Sequence, residues 1–290
     1  VVASTYSARV AGPAGITVAR KLAAAGIRTV ILEAGSADIT DESQQFYRGE
    51  VVGDPYFDLE IDRLRYLGGC SNHWAGWCRV LDAIDFEPKS WVPDTGWPIR
   101  RTDIEPYLDE VREILDLVPF RPDQPVNDEI RWVQLIKSPA VRFGEKFRDE
   151  IEKSDMIALV LNTYVTHLVG DGEQVTSAQL WSDGAERGGL SADCYIPCVG
   201  GLENSRLLLW SNVKSSGGVV PQADALGKYW MEHIHFEGGD AVLASMDEFR
   251  TDEDHEAFFS PTLKAMEDRG ILNFGIRLVE SPYPGIKGIV

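Results

Sequence analysis

Residues 12–35 read GPAGITVARKLAAAGIRTVILEAG, a turn, a helix and a strand in that order. Gly12 to Gly15 open the turn. Ile16, Val18, Ala19, Leu22 and Ala23 then fall on one helical stripe between Ile16 and Ala25. Gly26 stands where a left-handed glycine ends a helix. Thr29-Val30-Ile31-Leu32 is a short buried strand, closed by Glu33-Ala34-Gly35. The unit has the length of half a Rossmann motif. A glycine turn at a helix N-terminus offers backbone N–H groups and the positive end of the helix dipole, which suits a pyrophosphate. A carboxylate at the end of the next strand, here Glu33, accepts hydrogen bonds from ribose hydroxyls and repels a 2′-phosphate. The fingerprint is incomplete, because Val10 holds the first glycine position and Ser4 to Arg9 is polar and alternating where an apolar strand belongs. From this turn alone, nucleotide binding and simple helix–strand packing both stay open.

The rest of the composition sets bounds. The chain has 290 residues, 44% hydrophobic and 26% charged, enough for one large domain or two modest ones with a core that needs no staples. A formal net charge of −18 argues against nucleic acid or an anionic membrane as partner. No apolar run approaches the roughly 18 residues of a membrane span. No basic and apolar leader opens the chain, which suggests a cytoplasmic protein, although a start at Val1-Val2-Ala3 leaves room for a missing leader. Cys70, Cys78, Cys194 and Cys198 are too sparse for a disulfide scaffold. Cys194 and Cys198 read as buried strand residues, and no metal site is expected.

Further along, Tyr66 to Cys78 combines glycines, Ser71, Asn72, His73, Trp74 and Trp77. Gly68 and Gly69 permit positive φ and close approach to a flat ligand, with the tryptophans as walls. Residues 88–100, with Pro88, Trp91, Pro93, Trp97 and Pro98, read as an irregular connector. A helix is expected from Ile104 to Leu117, capped by Thr102 or Asp103. Residues 120–140 read as loop with a short helix, and Phe143 to Glu152 as helix. Residues 157–191 alternate in three runs between turn signals, as in a small antiparallel meander. Cys194 to Val199 then leads through Gly200-Gly201 into a helix from Leu202 to Trp210, a second strand, glycine turn and helix. Residues 216–290 mix strands with a helix near Pro261 to Glu267. His167 is expected to face solvent, His233 and His235 to share one face of a strand, and His255 to lie on an acidic surface.

Taken together, these blocks resemble the glucose-methanol-choline (GMC) oxidoreductases, and within them the branch of pyranose oxidase and related sugar dehydrogenases. The blocks are Gly12 to Ala19 with Leu32 to Gly35, Leu67 to Trp74, Gly96 to Ile99, Gly200 to Leu208 and Leu226 to His233, all in family order. The resemblance implies an α/β protein with an FAD-binding Rossmann-like domain of the glutathione-reductase type, an inserted β-meander and part of an α+β substrate domain. The implied layout is residues 1–85 and 155–215 for the FAD-binding domain, 86–154 for a helical connector and 216–290 for an incomplete substrate domain.

By the same resemblance the cofactor is FAD rather than NAD. Glu33 would hold the adenosine ribose, and the Val165 backbone would contact the adenine. Gly200 and Gly201 would pack near the dinucleotide, and Gly12 and Gly15 would face its pyrophosphate. Gly68, Gly69, Ser71 and Asn72 would lie along the pyrophosphate and isoalloxazine. His73, which precedes Trp74, matches a histidine that pyranose oxidase joins covalently to its flavin. The implied activity is oxidation of a CH–OH group of a sugar or other alcohol, with hydride passing to flavin N5. The family's catalytic His, with a second His or Asn, would lie beyond Val290, so no residue takes that role here and this chain alone is expected to lack turnover. Two rivals remain: a degenerate noncatalytic flavoprotein, and an NAD-dependent dehydrogenase favoured only by the first turn and Glu33.

Overall fold

The computed structural model describes residues 5–9, 11–240 and 256–279. The chain divides into two compact units, Val1–Trp74 with Val141–His233, and Ala75–Ala140 with Ile234–Val290. Val10 and His255 lie outside the described residues.

The first unit begins with β1 (Thr5–Arg9), α1 (Pro13–Ala24) and β2 (Arg28–Leu32). After an excursion it continues with β3 (Ile157–Val160), β4 (Thr163–Gly170), β5 (Val175–Ser182), β6 (Ala185–Leu190), β7 (Cys194–Pro197) and α2 (Gly201–Lys214). A parallel sheet runs in the order β7-β1-β2-β3. In α1, Gly15, Ile16 and Ala19 are buried on one stripe, and Ile31 and Leu32 of β2 are buried with them. Burying each large aliphatic side chain contributes roughly 1.5–3 kcal/mol. The helix ends as its sequence predicts: Gly26 has φ +76°, its N–H donates to the Ala23 carbonyl, and the Ile27 N–H donates to the Leu22 carbonyl.

Two expectations change in this sheet. The polar segment before Gly12 forms β1, paired on both sides, with Tyr6 opposite Thr29 of β2 and Cys194 of β7. Strand pairing overrides weak local propensity there. The run from Ile157 is not part of the meander. It pairs parallel with β2, Thr29 opposite Ile157, and its continuous apolar character is that of a parallel strand. Asn162, at φ +51°, then turns the chain into β4, and β4, β5 and β6 alone form the antiparallel meander. The expected helix Phe143 to Glu152 is broken at Phe147 into Phe143–Lys146 and Arg148–Glu152.

The second unit carries a sheet of four antiparallel strands, in the order Ile276–Val279, Glu256–Pro261, Ile130–Val133, Gln124–Pro125. Trp132, Ala257 and Phe259 form its core, packed by Ile130, Ile276 and Leu278. Residues 120–140 are loop as expected, but the short helix is replaced by the strands Gln124–Pro125, Ile130–Val133 and Ile136–Lys137, runs too short for a periodicity signal to declare them. Beside this sheet, Arg131 and Arg79 each bridge Asp82 and Asp123. The helix after Glu256–Pro261 starts at Leu263, because Thr262 caps it through its hydroxyl and Pro261 remains in the strand. Asp103 accepts the Arg100 N–H at 2.7 Å as the third residue of a helix Arg101–Ile104, so neither it nor Thr102 is the cap. Pro106 lies in the 3-10 turn Glu105–Tyr107, after which Leu108–Leu115 resumes the helix.

Among the described residues no helix is long and apolar enough to cross a membrane.

Candidate site at the carboxyl edge of the parallel sheet

Because β7, β1, β2 and β3 are parallel and in register, Pro197, Arg9, Leu32 and Val160 end at one edge. The turns that follow these strands therefore emerge side by side. In an open parallel sheet this edge is where ligands bind, at the point where successive connections leave in opposite directions. Here β2 lies on one side of β1 and β7 on the other.

The turn after β1 opens α1 at Gly12, with Pro13 at the first helical position and no side-chain cap. The first N–H groups of a helix have no partner within it, and a helix start left uncapped by side chains keeps them available to an anion. Ala11, Gly12 and Gly15 are buried. The turn before α2 is built alike: Gly200 caps it at φ +83°, again without a side-chain bond, and the Val199 N–H donates to the Asn204 side chain. A Cβ on Gly201 would stand 3.0 Å from the Trp230 ring.

A third glycine turn lies directly on the first. Gly68 donates its N–H to the Ala11 carbonyl at 2.6 Å. Gly68 has φ +95° and Gly69 φ +52°, backbone that favours glycine. A Cβ on Gly69 would lie 3.2 Å from the Gly12 Cα, and one on Gly68 would lie 2.9 Å from the Gly144 nitrogen. Ser71 is buried; its hydroxyl donates to the Gly68 carbonyl and accepts the Phe143 N–H. Asn72 donates to the Leu67 carbonyl at 2.9 Å. Both side chains thus hold the turn's own shape. His73 follows at its end, exposed. Trp74 donates to the Val141 carbonyl at 3.0 Å, whereas Trp77 lies in the second unit, edge-on to Phe258.

Glu33 is fully buried just past β2. One carboxylate oxygen accepts the Ala11 N–H at 2.8 Å and the other accepts the Gly35 N–H at 2.8 Å. Burial pushes its carboxyl up; the Gly35 and Ala11 N–H groups and the Arg65 charge pull it back. The Ala34 N–H adds to this pull, and a carboxylate has about four acceptor positions in all. The chain crosses beside it into β4: Thr163 donates to the Glu33 carbonyl at 3.0 Å and Asn162 to the Gly35 carbonyl at 2.9 Å. Val165 is half-buried two residues further along β4, at an irregularity in its pairing. Gly12, Glu33, Gly68 and Gly69 are therefore brought together. Gly200 opens a turn on the same sheet edge, and Val165 follows the strand that leaves Glu33.

Several participants were not read from the sequence. Arg65, 9% exposed, donates to the Ala34 carbonyl and the Ser43 hydroxyl, and its guanidinium lies over the Phe46 and Tyr164 rings. Arg63 pairs with Glu203 of α2 at 2.8 Å and lies over Tyr47. Burial, with the Glu33 and Glu203 charges, pushes the Tyr47 phenol up to about 12. The one signal for these residues is the Arg-x-Arg spacing just before Tyr66-Leu67-Gly68 in an acidic chain.

The histidines and cysteines recede. His167 is half-buried, its ring 3.0 Å from the Thr166 hydroxyl, rather than facing solvent. His233 and His235 are exposed and on no strand. Cys194 and Cys198 are half-buried rather than buried, and both are free thiols. Among the described residues no group of His, Cys, Asp and Glu is placed to hold a metal.

No protein-family model matches the chain, and no curated protein matches it. Solved structures do resemble it. Pyridoxine 4-oxidase from Mesorbium loti aligns with a TM-score of 0.45 and 15% identity, over 73% of this chain and 52% of that one. An FAD-dependent oxidoreductase from Chaetomium thermophilum gives 0.47 and 14%, over 73% and 48%. A formate oxidase gives 0.43 and 16%, over 73% and 48%. These neighbours are GMC-type flavin oxidoreductases, and this chain spans about half their length. Identities this low, over half of a longer chain, assign no role to any residue here.

Proposed function

We propose that this chain is the FAD-binding part of an oxidoreductase of the GMC type that oxidises a CH–OH group of a sugar or other alcohol. One observation carries the reading: Gly69, at φ +52°, packs on Gly12 so closely that a Cβ would stand 3.2 Å from the Gly12 Cα, at the edge where Glu33 and two uncapped helix starts also stand. That arrangement is a cradle for a backbone-bound anion with a ribose on one side. The motif order of the sequence, Gly12 to Gly35, then Gly68 to Trp74, then Gly200 to Leu208, is what favours FAD over NAD.

When bound, FAD would supply a two-electron hydride acceptor for the alcohol carbon. The chain's own residues would hold and orient it. Backbone N–H groups of the Gly12 and Gly200 turns would face the pyrophosphate, the glycines at 68 and 69 would hold their turn against the first, and Glu33 would accept a ribose hydroxyl. None of the described residues is given the proton of the alcohol.

The test is uptake of FAD. Protein incubated with FAD and passed through a desalting column should retain an absorbance near flavin wavelengths and quench flavin fluorescence. Retention of NAD with no FAD would overturn the reading in favour of a nicotinamide enzyme. Anaerobic bleaching of the bound flavin by a sugar or alcohol would separate a working oxidoreductase from a noncatalytic flavoprotein. Covalent attachment at His73 has its own test: colour that stays with acid-precipitated protein, and is lost in His73→Ala, supports the bond, whereas colour wholly in the supernatant excludes it.

A further inference from the structure

Arg65 is a buried cation that the function above does not use, and it grips the turn that carries Glu33 from two directions. Its guanidinium donates to the Ala34 carbonyl at 3.3 Å, next in sequence to Glu33. Its backbone presses on Gly35, where a Cβ would fall 2.0 Å from the Arg65 carbonyl oxygen and 2.8 Å from the Tyr66 Cα. The head group has little freedom: it lies over Phe46 at 4.5 Å and Tyr164 at 5.2 Å and is bonded to the Ser43 hydroxyl at 3.0 Å. The Ser43 hydroxyl in turn donates to the Arg65 carbonyl at 2.8 Å. A cation fixed this firmly beside a fully buried carboxylate is a counter-charge, because an unpaired buried carboxylate is costly.

We propose that Arg65 is a positioning residue for the adenosine end of the dinucleotide: it braces the turn Glu33-Ala34-Gly35 and supplies the counter-charge on which Glu33's grip depends. The proposal rests on the FAD reading above for its ligand, but the brace belongs to this chain with or without ligand. Both oxygens of Glu33 already accept an N–H, from Ala11 and from Gly35. Protonation removes the charge and turns one oxygen into a donor that accepts only weakly, so the carboxyl holds the two N–H groups and a ribose hydroxyl less strongly. The groups around Glu33 are Arg65 and, on the turn Gln45–Tyr47, the Tyr47 phenol; Glu203 and Arg63 act on Tyr47, and Tyr164 of β4 acts on Arg65. Among these Arg65 alone lowers the Glu33 carboxyl through charge.

Removing the charge has two opposite consequences. In Arg65→Met the Glu33 carboxyl rises further, so FAD affinity should fall relative to wild type as pH drops, by about tenfold in Kd per unit of carboxyl pKa. Stability without ligand should move the other way. A buried carboxyl whose pKa is raised on folding stabilises the protein below the unfolded pKa and loses that contribution as pH rises through the folded one. Raising it further makes the loss larger, so the gap in melting temperature between wild type and Arg65→Met should widen as pH rises from the wild type's folded value towards the variant's higher one, a range found by carrying the titration up from the ordinary carboxylate range until the wild-type profile levels off. A residue that merely filled space would move neither gap with pH.

The experiment measures FAD affinity by fluorescence quenching and ligand-free melting across that range, for wild type, Arg65→Met, Arg65→Lys, and Arg65→Met with Glu33→Gln. The expected result is two gaps of opposite slope in Arg65→Met, a wild-type profile in Arg65→Lys, and no residual slope once Glu33 is Gln. Gaps that do not change with pH, or slopes that survive Glu33→Gln, overturn the proposal. Arg65→Gln carries the same test if Arg65→Met fails to fold, since it keeps a donor for Ala34 and loses the charge. A wild type that takes up no FAD sinks the flavin reading of the previous section, while the ligand-free melting arm still decides the role of Arg65.

Discussion

Gly69 is the residue on which the site turns most sharply. Its φ of +52° costs a side chain about 1–2 kcal/mol, and the added Cβ would meet the Gly12 Cα at 3.2 Å, which a backbone atom relieves only by moving. Gly69→Ala is therefore expected to lower stability modestly and FAD affinity by more than tenfold, because the two turns that form the cradle are forced apart. A loss of stability with FAD affinity of the folded protein unchanged would show that the contact is packing only. Glu33 was legible from its place after the strand, since a lone carboxylate closing a buried apolar run invites a reason. Its bond to Ala11 was not, because that partner is a backbone N–H 22 residues earlier. The role of Arg65 was hidden for the same reason: the Arg-x-Arg spacing marks the residue, but its partners, Ala34 and Ser43, are known only once the chain has folded back.

At the scale of elements, the strand, turn and helix units near residues 12–35 and 194–210 could be read because glycines mark where the helices end or begin, whereas the end of α2 at Lys214, four residues past the expected Trp210, carries no such mark. Gly26 ends α1 and Gly200 begins α2 through backbone angles that glycine tolerates. The strands at 124–137 state no boundary, and their apolar residues are recognised only when Trp132 meets Phe259 across the sheet. The placement of β3 failed differently: its pattern is that of a strand, but which sheet it joins depends on β2. The join between α2 and β4 is an element-scale feature that can be tested. Ser211, fully buried, accepts the Leu168 N–H at 2.8 Å while donating to the Leu207 carbonyl. Ser211→Ala leaves that N–H buried without a partner, which costs about 1–3 kcal/mol. A lower urea midpoint at unchanged slope is expected; a midpoint within error of wild type would mean that the helix shifts to satisfy Leu168 another way. The cap at Thr262 makes a smaller claim of the same kind, about 1 kcal/mol for Thr262→Ala.

At the scale of the whole molecule, charge and site pull against each other. The chain carries −18, yet the proposed ligand is a dianionic pyrophosphate. Attraction at the cradle is short-ranged: two helix starts and the backbone N–H groups of glycine turns, whose effect falls off within a turn of helix. Repulsion by the acidic surface is long-ranged at low salt, where the screening length is about 30 Å, and is largely removed at about 8 Å in 0.15 M salt. The association rate of FAD should therefore rise with ionic strength, the reverse of what a basic phosphate-binding surface gives, while the dissociation rate should change less, since on the proposed reading the anion would be held by buried dipoles. Stopped-flow quenching of flavin fluorescence at several salt concentrations measures both rates. An association rate that falls with salt would mean that the local positive field extends beyond the turns, and would point to Arg63 or Arg65 as its source, since each is a cation within the first unit placed close to those turns. Neutralising each arginine in turn would then separate them, because the one responsible is the one whose removal reverses the slope.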